Sequence, residues 1–338
     1  MKQFLLTLIL PLCISNYADA KTYFVAKDGK GDFNTIQAAA DVVNPGDTVI
    51  VRDGIYNMVE ANRGGDENNW VVFKSEHKWG AVLDGNNNAE DIGWSFGKKG
   101  NYIRVEDFEI RNFASGGFHS NHGAKHLFIK GNHVHHIGRV CTSDRFGNDG
   151  MYVGVGSSYV TFDGNVWHDV GRLENGENGC QNTNGYYQNH DHGIYINASH
   201  IVVVNNIFYS FTRGWAIHIY GSGEKDDIKI INNTFAFPNP YRNGHITSYG
   251  TNVLVENNIF YKPTVKIFES KEGVSEKNNI LDLDGSMKLM KDPEKLDFRL
   301  VEGSISIDAG IPGNAPDHDY DGKPRPKGKP VDVGAFEN

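Results

Sequence analysis

The chain has 338 residues, with 42 acidic against 33 basic side chains and a net charge of −9. That balance argues against a nucleic-acid scaffold, which is normally basic, while leaving room for an anionic substrate in a locally basic cleft. Thirty-nine glycines and 12% aromatic residues suit tightly wound coils and surfaces on which sugar rings stack.

Residues 1–20 read as an export signal. Lys2 supplies the positive start, Phe4 to Cys13 the apolar stretch, and Ala18-Asp19-Ala20 a small-residue cleavage site before Lys21. The apolar stretch is too short for a membrane span, and no later segment approaches that length. The expected product is a secreted or periplasmic chain of about 318 residues forming one domain, residues 21–338, which is enough to bury a large core. Residues 21–60 read as a cap: a strand at Tyr23-Phe24-Val25, a short amphipathic helix from Thr35 with Asn34 as its cap, and a strand at Asp47 to Val51. Such a helix covers the open end of a solenoid core.

From Phe128 onward one phrase recurs: an apolar stretch, Gly-Asn or Asn-Asn, one residue, then another apolar residue. Its asparagines are Asn132, Asn165, Asn206, Asn233, Asn258 and, in a degraded copy, Asn279, spaced 33, 41, 27, 25 and 21 residues apart. Repeats of this length with alternating β-branched residues predict a solenoid whose coils each contribute short parallel strands. At a fixed corner each asparagine can take a left-handed conformation and hydrogen-bond its neighbours above and below.

A second motif precedes each asparagine: Gly150 to Val153, Gly193 to Ile196, Ala216 to Ile219, and weaker copies at Gly117 to Ser120 and His245 to Ser248. Strand side chains alternate between faces. With Met151, Val153, Ile194, Ile196, Ile217 and Ile219 inward, His119, Tyr152, Tyr195, His218 and Thr247 form one outward file, with neighbours ~4.8 Å apart. The two longest coils swell at one corner, at Arg139 to Asp149 and Gly171 to His192, immediately before this strand. Long insertions in a compact repeat are commonly functional, so these should wall the groove. They carry Arg145, Asp149, Arg172, Glu174, Glu177, Tyr187, His190, Asp191 and His192. Each also carries one cysteine, Cys141 and Cys180, either bonded across the insertions or free. Residues 300–338 read as an extended tail with little core.

The N-terminal Asp28-Gly29-Lys30-Gly31-Asp32-Phe33 with Thr35 to Ala39, and Gly46-Asp47-Thr48-Val49 with Gly54-Ile55-Tyr56, carry a resemblance together with the Asn-Asn-x-Phe coils. Asp308-Ala309-Gly310, Asp319 to Pro326 and Asp332-Val333-Gly334-Ala335-Phe336-Glu337 complete it. Nearly the whole mature chain resembles exported bacterial right-handed parallel β-helix proteins of the polysaccharide lyase type. The resemblance implies an all-β right-handed parallel β-helix. Its superfamily holds polysaccharide lyases, glycoside hydrolases, uronan epimerases and non-catalytic proteins.

Cleaving a uronic-acid polymer such as alginate by β-elimination needs a positive group on the carboxylate, a base for the C5 proton and an acid for the glycosidic oxygen. Tyr195 and His192, supported by His218, are the expected acid and base, and Arg213 the carboxylate clamp. Tyr152, Asp191, His119, Arg145, Tyr187, His190, Asp149 and Lys225 are expected to bind substrate. By resemblance to alginate-modifying β-helix enzymes, Tyr187 and His192 would be the proton donor and acceptor. The Asp-Pro-His core of the epimerase motif is missing, which weighs against epimerisation. Lysine serves as base in some β-helix lyases, which adds Lys225. A polygalacturonase-type hydrolase using Asp149 and Asp191 is the second reading, and a non-catalytic carbohydrate-binding protein the third.

No cofactor and no metal are expected. His133, His135 and His136 look like a ligand cluster, but His133 and His135 flank the inward Val134 on one strand and read as solvated or ladder-stacked rather than metal-bound. Calcium through Asp149, Glu174, Glu177 or Asp191 lacks a recognisable loop spacing. The partners expected are an acidic polysaccharide and no nucleic acid, for a chain that works as a monomer.

Overall fold

The computed structural model describes residues 19–143, 145–181, 190–211, 213–242, 244–262 and 266–338. The chain winds as a parallel β-helix. Each complete coil passes through three strands, as in Asp149–Val153, Ser158–Asp163 and Val166–Val170. Every coil pairs in parallel with the next, building three columns of strands, two of which join through the long strand Ile246–Glu256. Most of the export signal and the expected Tyr187 lie outside the described residues. Among those described, no helix is long and apolar enough to cross a membrane.

The corner between the second and third strands holds the coils in register. The backbone N–H and side-chain amide of Asn132 both donate to Asn165 Oδ1, at 2.9 and 3.1 Å. Asn165 makes the same pair of bonds to Asn206, Asn206 to Asn233, Asn233 to Asn258, and Asn258 to Asn279. Each amide also donates to a main-chain carbonyl, Asn206 to Phe162 O at 2.9 Å for example. Asn132 through Asn258 are fully buried, so this chain satisfies polar atoms that would otherwise be costly in the core. The left-handed backbone falls one residue earlier than expected. Gly131, Gly164, Asn205, Asn232, Asn257 and Asn278 have φ between 49° and 66°, whereas the ladder asparagines are absent from the positive-φ residues. The dipeptide therefore divides the work: its first residue turns the chain and its second bonds the coils.

Two residues past four of the ladder asparagines, Asn165, Asn206, Asn233 and Asn258, an aromatic ring enters the core. Trp167, Phe208, Phe235 and Phe260 stack coil on coil, the last three with centroids 4.8 and 4.7 Å apart and planes within 7°. Met151, Val153, Ile194, Ile196, Ile217 and Ile219 are inward and fully buried as expected.

At the N-terminal end, the helix Ile36–Ala40 lies between strands Thr22–Val25 and Thr48–Val51. Its cap is Thr35, whose hydroxyl accepts from the Ala38 N–H at 3.2 Å, rather than Asn34. Ile36, Ala39 and Ala40 cover the core end.

The C-terminal segment is extended, yet it packs rather than trails. Val333, Ala335 and Phe336 are buried against Ile207, Tyr209 and Ile259 in a second apolar cluster. The turning asparagines hold it: Asn205 donates to His318 O, Asn232 to Asp332 O and Asn257 to Ile311 O. Arg325 is buried against Glu337 at 3.1 Å and also donates to Asp332 O and Gly334 O. The expectation of little core missed this because the apolar residues of the tail pack on an outer face of the helix.

Replacing Asn206 by alanine leaves the Asn165 backbone N–H and amide without their acceptor inside the core, at a cost of about 3 kcal/mol. The unfolding midpoint of Asn206→Ala should drop by about 5 °C in a thermal melt; a shift within 1 °C would mean the ladder is not what holds the coils.

Candidate active site

The outward file forms as the alternation requires. His119 pairs with Tyr152, Tyr152 with Tyr195, Tyr195 with His218, and His218 with Thr247 in successive parallel strands. Ring centroids along it are 5.7, 5.3 and 4.9 Å apart from His119 to His218. The file floors a groove of about 1200 Å³. Thr247 is buried and does not line it.

Both insertions contribute to one wall, through Arg145, Phe146 and Asn148 from the first and His190 from the second. Cys141 and Cys180 are disulfide-bonded, which ties the insertions together. Asp191 completes the joint. Its carboxylate accepts from Arg172 Nε and Nη2 at 2.9 and 2.8 Å and from the Asn148 backbone N–H at 2.9 Å. Arg172 and Asp191 are both fully buried, and neither lines the groove. The expected subsite residue Asp191 is thus an internal anchor.

Two other expected residues, Arg213 and Lys225, stand away from the groove surface. Arg213 is buried and pairs with Glu174 at 3.1 Å, beneath the Tyr241 ring. Lys225 donates to Gly221 O and Gly223 O within its own loop. His192 is almost wholly buried beside His218 and still contributes to the groove lining. Tyr195, His218, Tyr152, His119, Arg145, His190 and Asp149 line the groove.

The histidine pair has a defined protonation pattern. The Trp215 backbone N–H donates to His192 Nδ1 at 3.2 Å, so neutral His192 carries its proton on Nε2. That proton meets His218 Nδ1 at 2.8 Å, which leaves neutral His218 with its own proton on Nε2. Burial holds both rings neutral: His192 lies well below the ordinary imidazole range, and His218 is lowered to about 3. His119 is lowered to about 4 by burial as well. In this state His218 donates a hydrogen bond at its remaining nitrogen and cannot accept a proton there.

The proton-exchanging groups of the groove are pushed in useful directions. Burial, reinforced by the charge of Asp191, raises Asp149 well above the usual carboxylate range, and its Oδ1 has no hydrogen-bond partner. Burial, reinforced by Asp149, raises the Tyr195 phenol, so it keeps its proton at neutral pH. Asp149 opens the strand Asp149–Val153, paired with His192 across the coils, so the second insertion sets its surroundings.

Arg242 and Trp215 were not expected. The Arg242 guanidinium lies over the Trp215 ring at 4.4 Å, and both line the groove. A signal for Arg242 was present: the pairing of Ile217 with Ile246, extended back along the chain, carries Arg213 onto Arg242 one coil later.

Three of the four carboxylates considered for calcium are engaged elsewhere, Asp149 being the fourth. Glu174 pairs with Arg213, Glu177 with Arg139 and Asp191 with Arg172, so these carboxylates are committed to arginines. Among the described residues, the groups able to hold a metal ion centre on histidines.

No family model and no curated protein sequence matches the chain. Among solved structures it is similar to pectate lyase Pel9A, with a TM-score of 0.57 at 15% identity, covering 96% of this chain and 98% of that one. It is also similar to ORF18 of Geobacillus virus E2, with a TM-score of 0.51 at 14% identity, covering 72% of this chain and 49% of that one. The protein shares the right-handed parallel β-helix fold of these structures.

Proposed function

We propose that the protein is an exported polysaccharide lyase that cleaves an acidic polysaccharide, alginate or a related polyuronate, by β-elimination. The observation that carries this reading is the composition of the groove. A protonated phenol, a carboxyl of raised pKa, an imidazole N–H and two arginines line one cleft, while the second carboxylate a hydrolase would need is sealed by Arg172. The fold shared with a pectate lyase and the disulfide between the insertions agree with an exported enzyme of this kind.

In this reading Arg242, with Arg145 along the groove, binds uronate carboxylates, and the His218 Nε2–H adds a hydrogen bond that stabilises charge as the C5 proton leaves. Asp149 takes that proton, since its raised pKa brings proton affinity toward the working pH. Tyr195 gives its proton to the glycosidic oxygen as the bond breaks. His192 is a positioning residue that fixes the tautomer of His218. Trp215, Tyr152 and Tyr220 offer ring surface for neighbouring sugars.

The decisive assay incubates the purified protein with alginate, polygalacturonate and glycosaminoglycans and follows ultraviolet absorbance. An unsaturated uronide absorbs, whereas reducing ends without absorbance would identify a hydrolase, and neither signal a binding protein. Tyr195→Phe and Asp149→Asn should each lower kcat on the order of 10²-fold.

Two pH effects follow from Asp149. The rate, kcat/KM, should rise with pH through a pKa above the usual carboxylate range, because the base must be ionised. A carboxyl raised in the folded state contributes stability that is fully present below its unfolded pKa and is lost as pH rises through the folded one. Asp149→Asn should therefore melt higher than the parent at pH 7 while being less active. A melting point below the parent would contradict the burial argument.

A further inference from the structure

The third column of strands carries a histidine cluster that the groove does not use. His133, His135 and His136 lie on the strand His133–Ile137, and His168 lies on the next coil, in register with His135. Nε2 of His133 and Nε2 of His168 are 2.7 Å apart, and Nδ1 of His135 is 2.7 Å from Nδ1 of His136. Trp79 packs on His133 and Tyr209 stacks on His168, both at 4.5 Å between centroids, closing the cluster from two sides.

Carboxylates behind two of the rings fix where the lone pairs point. Asp169 Oδ2 lies 2.6 Å from His168 Nδ1 and Glu109 Oε1 lies 3.2 Å from His135 Nε2. A carboxylate accepts only, so these nitrogens carry the protons; His168 Nε2 then turns its lone pair to His133 Nε2, and His135 Nδ1 turns its own to His136 Nδ1. A carboxylate orienting each imidazole from behind is the arrangement that holds metal-ligating histidines. One donor nitrogen from each of His133, His135 and His168 lies within 4.8 Å of the others.

We propose that His133, His135 and His168 bind one divalent transition-metal ion of the zinc class, with Asp169 and Glu109 as the orienting carboxylates. Imidazole donors suit zinc, nickel or copper, whereas calcium and magnesium require oxygen ligands. The ion takes the place of the proton between His133 and His168, which moves to the other ring nitrogen of His133. Small ring movements bring the nitrogens to bonding distance, about 2.0–2.1 Å from zinc. Because the ligands come from adjacent coils, the ion staples the coil of His133 to that of His168. The expected ladder of stacked rings is present, with His135 and His168 parallel at 4.8 Å, and it is this stack that brings the donors together.

The test is calorimetric titration of zinc into the tag-free, chelator-stripped full-length protein, together with thermal melts. One ion should bind per chain with micromolar or tighter affinity, and a hundredfold excess over Kd should raise the unfolding midpoint by about 4 °C. His133→Gln combined with His168→Gln should weaken binding on the order of 10²-fold, while His136→Gln, at an exposed position, should change it less. Absence of saturable binding by the parent at millimolar zinc would overturn the proposal. So would equal affinity in the doubly substituted protein. Neither result depends on lyase activity.

Discussion

A polar amide buried in coil after coil from Asn132 to Asn258 is what the rest of the molecule leans on. Asn165, Asn206, Asn233 and Asn258 each accept two bonds from the coil before and donate two to the coil after, so sliding one coil by a residue would orphan several buried polar groups. Apolar packing alone tolerates such slips poorly but does not forbid them; the ladder makes the register discrete. That register carries the stacked core rings on one side and the outward file on the other. It also presents the turning asparagines to the solvent side, where they hold the C-terminal segment.

The groove is built by the same economy of buried polarity. The two insertions are fastened by a disulfide and by an arginine–aspartate pair with no solvent exposure, a contact stabilised by additional backbone donors. Burial, and after it the negative charge of Asp191, then holds the Asp149 carboxyl back from ionising. Behind the file, a backbone N–H from Trp215 decides, through His192, which nitrogen of His218 carries the proton. A static scaffold thus sets proton affinities at the surface without any charged residue standing in the file itself.

The sequence is most legible where one period governs. Alternation along strands, counted from the recurring asparagine, puts His119, Tyr152, Tyr195 and His218 in one file, and the structure has the same pairs in register. Depth is harder to read. Asp191 and Arg213 have the residue types expected of a carbohydrate site, yet each lies inside and off the groove, because strand alternation says nothing about how a long insertion folds over its own base. Arg242 was within reach of the same alignment carried one coil further. The tail was misjudged for a related reason: its alternate apolar residues pack on the outside of a completed helix, a surface that no coil period describes.

The central claim concerns how a uronate sits in this groove, and the direct measurement is a crystal structure of the Tyr195→Phe protein with a saturated oligouronide. The account predicts a uronate carboxylate paired with Arg242, its C5 facing Asp149 and the glycosidic oxygen beside the position of the missing Tyr195 hydroxyl. A sugar chain bound elsewhere, or one whose carboxylates point away from Arg242 and Arg145, would contradict it.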